Sequence, residues 1–261
     1  MVPPKHGVGP ADRLATVNVT LTASPTLSLS DPDAQLELTL TLRLACSQQE
    51  GRPLTLCTQH SVFNVYGPSE PWTDMPARGA FGKLRSCGGG SGSEGGTSDL
   101  NPDNAADANR RTISLGNFRV VSTTTNVASE DLRDHDLGFI TVPGDGSPVT
   151  VTHRLSWGRI FRYEQTLSKA DLVPGERFSL AINPSFLGAV WWCWGDIETD
   201  HRNKRLHAWT PSAKSSGGGG GRRRPNEDFV RKGNWVLSEA PASLHFEDVT
   251  EGGRVTFEIV E

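Results

Sequence analysis

The run VWWCWGDIETDHRNKRLHAWTP at residues 190–211 gathers indole rings, carboxylates and imidazoles into one short stretch. Its polar centre, residues 199–204, suits a hairpin connection. The register that pairs Glu198 with Arg205, Asp196 with His207 and Trp194 with Trp209 sets opposite charges and aromatic rings across from one another. Such cross-strand contacts are worth about 0.2–1 kcal/mol each. Side-chain parity then assigns two faces. Trp191, Cys193 and Ile197 form the core side, and Trp192, Trp194 and Trp209 share the other with Asp196, Glu198, Arg205 and His207. Indole faces stack on apolar ligand surfaces while carboxylates and imidazole fix hydroxyls or amides, so this second face is a candidate binding surface for a protein, peptide or carbohydrate. The competing reading is packing alone, with a loop covering the rings and Arg stacked on them.

The same residues admit other chemistry. Asp196 beside His207 has the start of a nucleophilic triad, in which a carboxylate orients an imidazole and holds it protonated, but no nucleophile is identifiable. The alternative to a binding module is therefore an enzyme, a hydrolase with its acid/base site at Asp196, Glu198 and His207. Asp196, Glu198 and Asp200 fall at alternate positions, yet Ca²⁺ takes about 6–8 oxygens and strand-borne carboxylates seldom supply them. Neither a metal nor a cofactor is expected. Gly90-Ser91-Gly92-Ser93-Glu94-Gly95 spells GxGxxG but lies inside a Ser/Gly tract, without the strand and helix that aim backbone amides at a pyrophosphate. Phosphate-loop, HExxH, CxxC and GxSxG motifs are absent from the chain. Cys46 and Cys57 flank a turn and could face each other; two small buried residues is the preferred reading. His153 falls on the apolar face of its strand, as a hydrogen-bonded core histidine would.

The elements that must position these residues are strands. Over residues 35–46, Leu36, Leu38, Leu40, Leu42, Leu44 and Cys46 take one face and Glu37, Thr39, Thr41 and Arg43 the other, the period of a half-buried strand. The alternation recurs at Ala15, Val17, Val19 and Leu21, at Val149, Val151, His153 and Leu155, and at Val255, Phe257 and Ile259. Gly- and Pro-containing turns separate the runs, and only short helical turns fit, at 129–136 and 168–172. The expected fold is all-β, an antiparallel β-sandwich of immunoglobulin-like plan, formed by one domain over residues 12–261. Two Gly-rich loop insertions, 86–110 and 211–228, and the tail 1–11 are expected to be disordered.

Composition bounds the function. A hydrophobic share of 35% plus 28 Gly in 261 residues rules out wholesale disorder. The 26 Lys+Arg against 30 Asp+Glu leave a net charge of −4, so no general attraction to phosphate backbones exists and nucleic acid is not an expected partner. No apolar run approaches the roughly 20 residues of a membrane helix, and residues 1–13 lack the apolar stretch of a secretory signal. A cytoplasmic protein with reduced thiols, bound to no membrane, is the expectation.

The segments FITVPGDG (139–146), LVPGERF (172–178), WWCWGD (191–196) and LHAW (206–209) resemble those of intracellular proteins from filamentous fungi. That resemblance implies a β-sandwich and no activity. The run from Leu172 to Leu180 is also similar to a corner of immunoglobulin-like and fibronectin-type sandwiches, which host many unrelated functions.

Overall fold

The computed structural model describes residues 12–65, 74–87, 111–117, 131–134, 138–207 and 234–261. Among them the chain is all-β, with strands β1 (Ala15–Ala23), β2 (Thr26–Ser28), β3 (Gln35–Ser47), β4 (Leu54–Cys57), β5 (Leu84–Ser86), β6 (Thr112–Ile113) and β7 (Phe139–Val142). After β8 (Val149–Ser156) comes one helical turn, α1 (Trp157–Ile160), then β9 (Arg177–Leu180), β10 (Trp192–Trp194), β11 (Arg205–His207), β12 (Trp235–Leu237), β13 (Leu244–Asp248) and β14 (Val255–Val260). The tail 1–11 and the insertion 211–228 lie outside the described residues, as does 86–110 beyond Ser86 and Cys87.

The strands form four sheets, ordered β13-β1-β3-β8, β2-β14-β9-β5-β6, β10-β4-β7 and β11-β12. Adjacent pairs such as β1–β3, β3–β8 and β9–β14 run antiparallel, as expected. The pairs β1–β13, β2–β14 and β11–β12 are parallel, which departs from a wholly antiparallel arrangement. The strands of β1–β13 and β2–β14 are remote in sequence, and residues 208–234 separate β11 from β12, so no tight hairpin imposes direction on any of the three pairs.

One core joins the three larger sheets. Leu36, Leu38, Leu40 and Leu42 of β3 are completely buried, with Val17 and Val19 of β1, Phe178 and Leu180 of β9, and Phe257 and Ile259 of β14 in the same cluster. The leucine ladder therefore stays a strand despite its helical propensity, because only the two-residue period buries every leucine. The alternation fails at its end. Thr16 pairs with Cys46 but Val17 with Leu44, so Ala45 is an extra residue, and this bulge turns Cys46 out to solvent. Cys46 is thus exposed, contrary to expectation, and β4 pairs with β7 and β10 rather than β3, so Cys46 and Cys57 form no hairpin pair. The four cysteines are free.

Two short turns form where the sequence leaves room for them. Residues Lys169–Asp171 form a 3₁₀ turn closed by a capping box in which Ser168 and Asp171 bond reciprocally. Another forms at Leu132–Asp134, within the expected 129–136.

His153 is a hydrogen-bonded core histidine: its Nε2–H donates to the Val62 carbonyl at 2.7 Å and its ring meets Phe81 edge-on at 5.1 Å. Burial, partly offset by that bond, pushes its pKa down from 6.5 to about 4. The folded state thus keeps the neutral ring while the unfolded chain takes up a proton below about 6.5. Stability from this residue is complete above that value and is lost as pH falls toward about 4, on the order of 3 kcal/mol in all. His60, also lowered to about 4 by burial and then by Arg78, acts with the same sign. In urea titrations His153→Gln, which keeps an N–H donor and cannot titrate, should flatten the loss of stability between pH 6.5 and 4; a slope equal to wild type would refute the assignment.

Candidate functional site

The hairpin expected at residues 190–211 does not form. Strand β10 pairs antiparallel with β4, Trp192 opposite Leu56 and Trp194 opposite Leu54, while β11 pairs parallel with β12. The contacts of Trp194 with Trp209, Asp196 with His207 and Glu198 with Arg205 lose their basis. Trp209 lies outside the described residues, and of His207 the structure describes the backbone, aligned with Leu237.

The face assignment also changes. Trp192 has no exposed surface, Trp194 is 7% exposed, and both belong to the main core, their rings T-stacked at 5.0 Å. The Trp192 indole N–H donates to the Ala240 carbonyl at 3.0 Å. Trp191 and Cys193 do share the opposite side, in a second cluster with Cys57, Leu132 and Val236, against which Ile197 packs. Because β10 lies in a sheet covered on both faces, parity separates two buried sets rather than a core from a surface. Trp192 and Trp194 are consequently not on an open face.

The charged members serve the loop after β10. Asp196 Oδ1 accepts from the backbone N–H groups of Glu198 (2.9 Å) and Thr199 (2.8 Å) and from the Thr199 hydroxyl (3.0 Å). Burial opposes ionisation here, but these bonds outweigh it and hold the Asp196 pKa below its ordinary value. Glu198 is exposed and bonds Arg133 at 3.2 Å, a guanidinium already forked on Asp131. Arg205 stacks over Trp235 at 5.8 Å. These side chains organise a turn and a strand pair; they do not converge on one reacting centre.

The loop contains a contact that sequence spacing does not announce. Gly195, at φ 116°, turns the chain so that His201 folds back, Nε2 lying 3.3 Å from Cys193 Sγ with both residues buried. The pair has the outline of a nucleophile and its base. Burial, however, pushes the thiol up to about 12 and the imidazole down, so both are neutral near pH 7 and the sulfur is not a thiolate. A Cβ at Gly195 would stand 2.8 Å from the His201 ring. Gly195→Ala should therefore lower stability by about 1–3 kcal/mol, through strained φ and displacement of His201; an unchanged melting temperature would argue against this packing.

The structure brings together a different set of residues. A cleft of about 440 Å³ lies beside β8, lined by Gln35, Asn64, Asp74, Thr152, Arg154 and Arg159 among others. At its base Asp74, 3% exposed, bonds Arg159 Nη2 at 2.6 Å and approaches Arg162 Nη1 at 4.0 Å. Arg159 also donates through Nη1 to the Arg154 carbonyl, and its buried Nε has no hydrogen-bond partner. Next to Asp74, Arg78 is buried and donates to His60 Nδ1 at 2.7 Å, which fixes that ring as the neutral Nε2–H tautomer. Asp74, His153 and Ser156 border the same cleft and are the residue types of a triad. Here the His153 Nε2–H is committed to Val62 and the Asp74 carboxylate to arginine, so neither serves Ser156. Among the described residues no group of three or more His, Cys, Asp or Glu side chains is placed to hold a metal ion, and no helix is long and apolar enough to cross a membrane. The cleft escapes sequence reasoning because its residues come from positions far apart in the chain; a lone signal was the sequence Asp74 to Arg78, a turn carrying both charges.

Comparison with known protein families, with curated proteins and with solved structures finds no match for this chain.

Proposed function

We propose that the chain is a non-enzymatic, intracellular binding module, immunoglobulin-like in general plan, whose ligand is a protein segment, peptide or carbohydrate seated in the cleft beside β8. The observation that carries this reading is the cleft itself: its volume is of the size that holds a small ligand or a few residues of a larger one, roughly 300–1,000 Å³. Its walls offer amides, hydroxyls and guanidinium groups, the chemistry that orients polar ligands. Asp196 and Glu198, the leading acid/base candidates of the enzyme alternative, are engaged in loop bonds and an exposed ion pair instead. With a net charge of −4, nucleic acid remains the less fitting partner.

The test is affinity capture from native lysate on the immobilised chain, in parallel with a Gln35→Ala plus Arg154→Ala variant. Both positions are exposed, so the double variant should retain its fold. A ligand retained by the wild type and lost by the variant is the expected result. Identical captured material on both would remove the cleft from the binding reading.

A further inference from the structure

Deepening the binding reading on which it rests, we infer that the cleft's ligand is an extended acidic peptide segment that adds as a strand to the outer edge of β8. The direction of the β8 backbone follows from its neighbour. Glu37 of β3 exchanges bonds with Ser24 on the far side, its carbonyl accepting from Ser24 N–H at 2.9 Å and its N–H donating to Ser24 Oγ at 3.2 Å. Glu37 therefore points away from β8, and its partner Arg154 forms a pair without ladder bonds. Alternation then turns the N–H and C=O of Thr150, Thr152 and Arg154 outward, while Val149, Val151, His153 and Leu155 bond β3. The Arg154 carbonyl confirms the direction independently, since it accepts from Arg159 on the outer side.

Strand β8 ends its sheet among the described residues. Its sequence, VTVTHRLS, has no Pro, Gly or Lys, and its pairing with β3 runs without a bulge. Pro, Lys and bulges ordinarily blunt an exposed edge, and of the charged side chains that also do so β8 carries Arg154, bonded to Glu37. The outward N–H and C=O of Thr150 and Thr152 and the N–H of Arg154 form the template that strand addition uses, in which backbone bonds supply affinity and flanking pockets supply specificity. The cleft borders this edge at Thr152, Arg154 and Ser156.

Charge selects the occupant. Arg154 is 66% exposed and bonds Glu37 on the β3 side at 2.8 Å. A strand added on the other side presents a residue beside the same guanidinium, and an acidic one there continues the cross-strand pairing. A second copy of β8 supplies no carboxylate, because VTVTHRLS contains none. The occupant is therefore a partner's segment that alternates β-formers with Asp or Glu.

The experiment pans a phage-displayed library of random linear peptides on the full chain, with Thr152→Pro as counter-selection. Proline removes an outward N–H and, with the side chain, the 3.0 Å hydroxyl bond between Thr152 and Thr39, and leaves the backbone ladder to β3 intact. The expected result is acidic, alternating sequences whose blocked synthetic versions bind wild type, lose at least about tenfold in affinity on Thr152→Pro, and protect the Thr150, Thr152 and Arg154 amides from hydrogen exchange. Alternate N-methylation of the same peptides should abolish binding to wild type, which tests strand addition even if Thr152→Pro folds poorly. Peptides that bind Thr152→Pro and wild type alike but fail on Gln35→Ala would overturn strand addition and leave the cleft reading standing. Peptides indifferent to both variants, or no selected peptide at all, would overturn the inference, and the cleft reading is then decided by the lysate capture on the Gln35→Ala plus Arg154→Ala variant. Self-association of the chain abolished by Thr152→Pro would assign the edge to a second copy and overturn the inference as well.

Discussion

Trp192→Ala should lower the unfolding free energy by about 3–5 kcal/mol, the cost of truncating a core aromatic without collapse of the space it leaves. Its ring is wholly buried, T-stacked on Trp194 and anchored by its N–H on the Ala240 carbonyl, so the substitution removes packing, a ring contact and a partly buried hydrogen bond together. Urea unfolding followed by circular dichroism measures the effect without depending on the deleted fluorophore. Glu198→Ala, on an exposed loop pair, should change stability by no more than about 0.5 kcal/mol. A Trp192→Ala domain as stable as wild type would return the tryptophans to an open face and restore the surface that their parity suggested.

Asp74→Ala carries the second large effect, also about 3–5 kcal/mol, because it strands a largely buried guanidinium rather than merely deleting a contact. Arg159 bonds Asp74 at 2.6 Å and its Nε already lacks a partner, so no other carboxylate bond is on hand to compensate. The double variant Asp74→Ala plus Arg159→Met should recover most of the loss, since replacing both charges removes the desolvation penalty with the attraction. Glu37→Ala is the matching control: its bond to Arg154 is 2.8 Å long, comparable in length, but lies between side chains 49% and 66% exposed, where the contribution falls to about 0–1 kcal/mol. If Asp74→Ala cost no more than Glu37→Ala, the cleft would not have the rigid base its proposed ligand needs.

The local pattern of residues was sufficient for the strands. Leu36, Leu38, Leu40 and Leu42 fall on one face because strand periodicity is two, and a run of that length has one arrangement that buries all four. The turn at Lys169–Asp171 was likewise legible as a short helical turn within 168–172, since such a turn closes within a few residues. His153 was legible as a core histidine from its place in the same alternation.

What lay beyond the sequence were relations between segments. The parity of Trp191–Trp194 separated two sets correctly, yet which set met solvent depended on what covered the sheet, and here both faces are covered. The attractive pairing of Asp196 with His207 was a local optimum overruled by β4, whose Leu54 and Leu56 bury the tryptophans more completely than a charged hairpin could. A single extra residue, Ala45, inverted Cys46, and a bulge of that kind is decided by the partner strand rather than by the strand that contains it. The cleft is the extreme case. Asp74, Arg159 and the edge of β8 meet only after the sheets have packed, and burial in that packed state, absent from any local segment, is what sets this Asp–Arg pair apart from an ordinary surface pair.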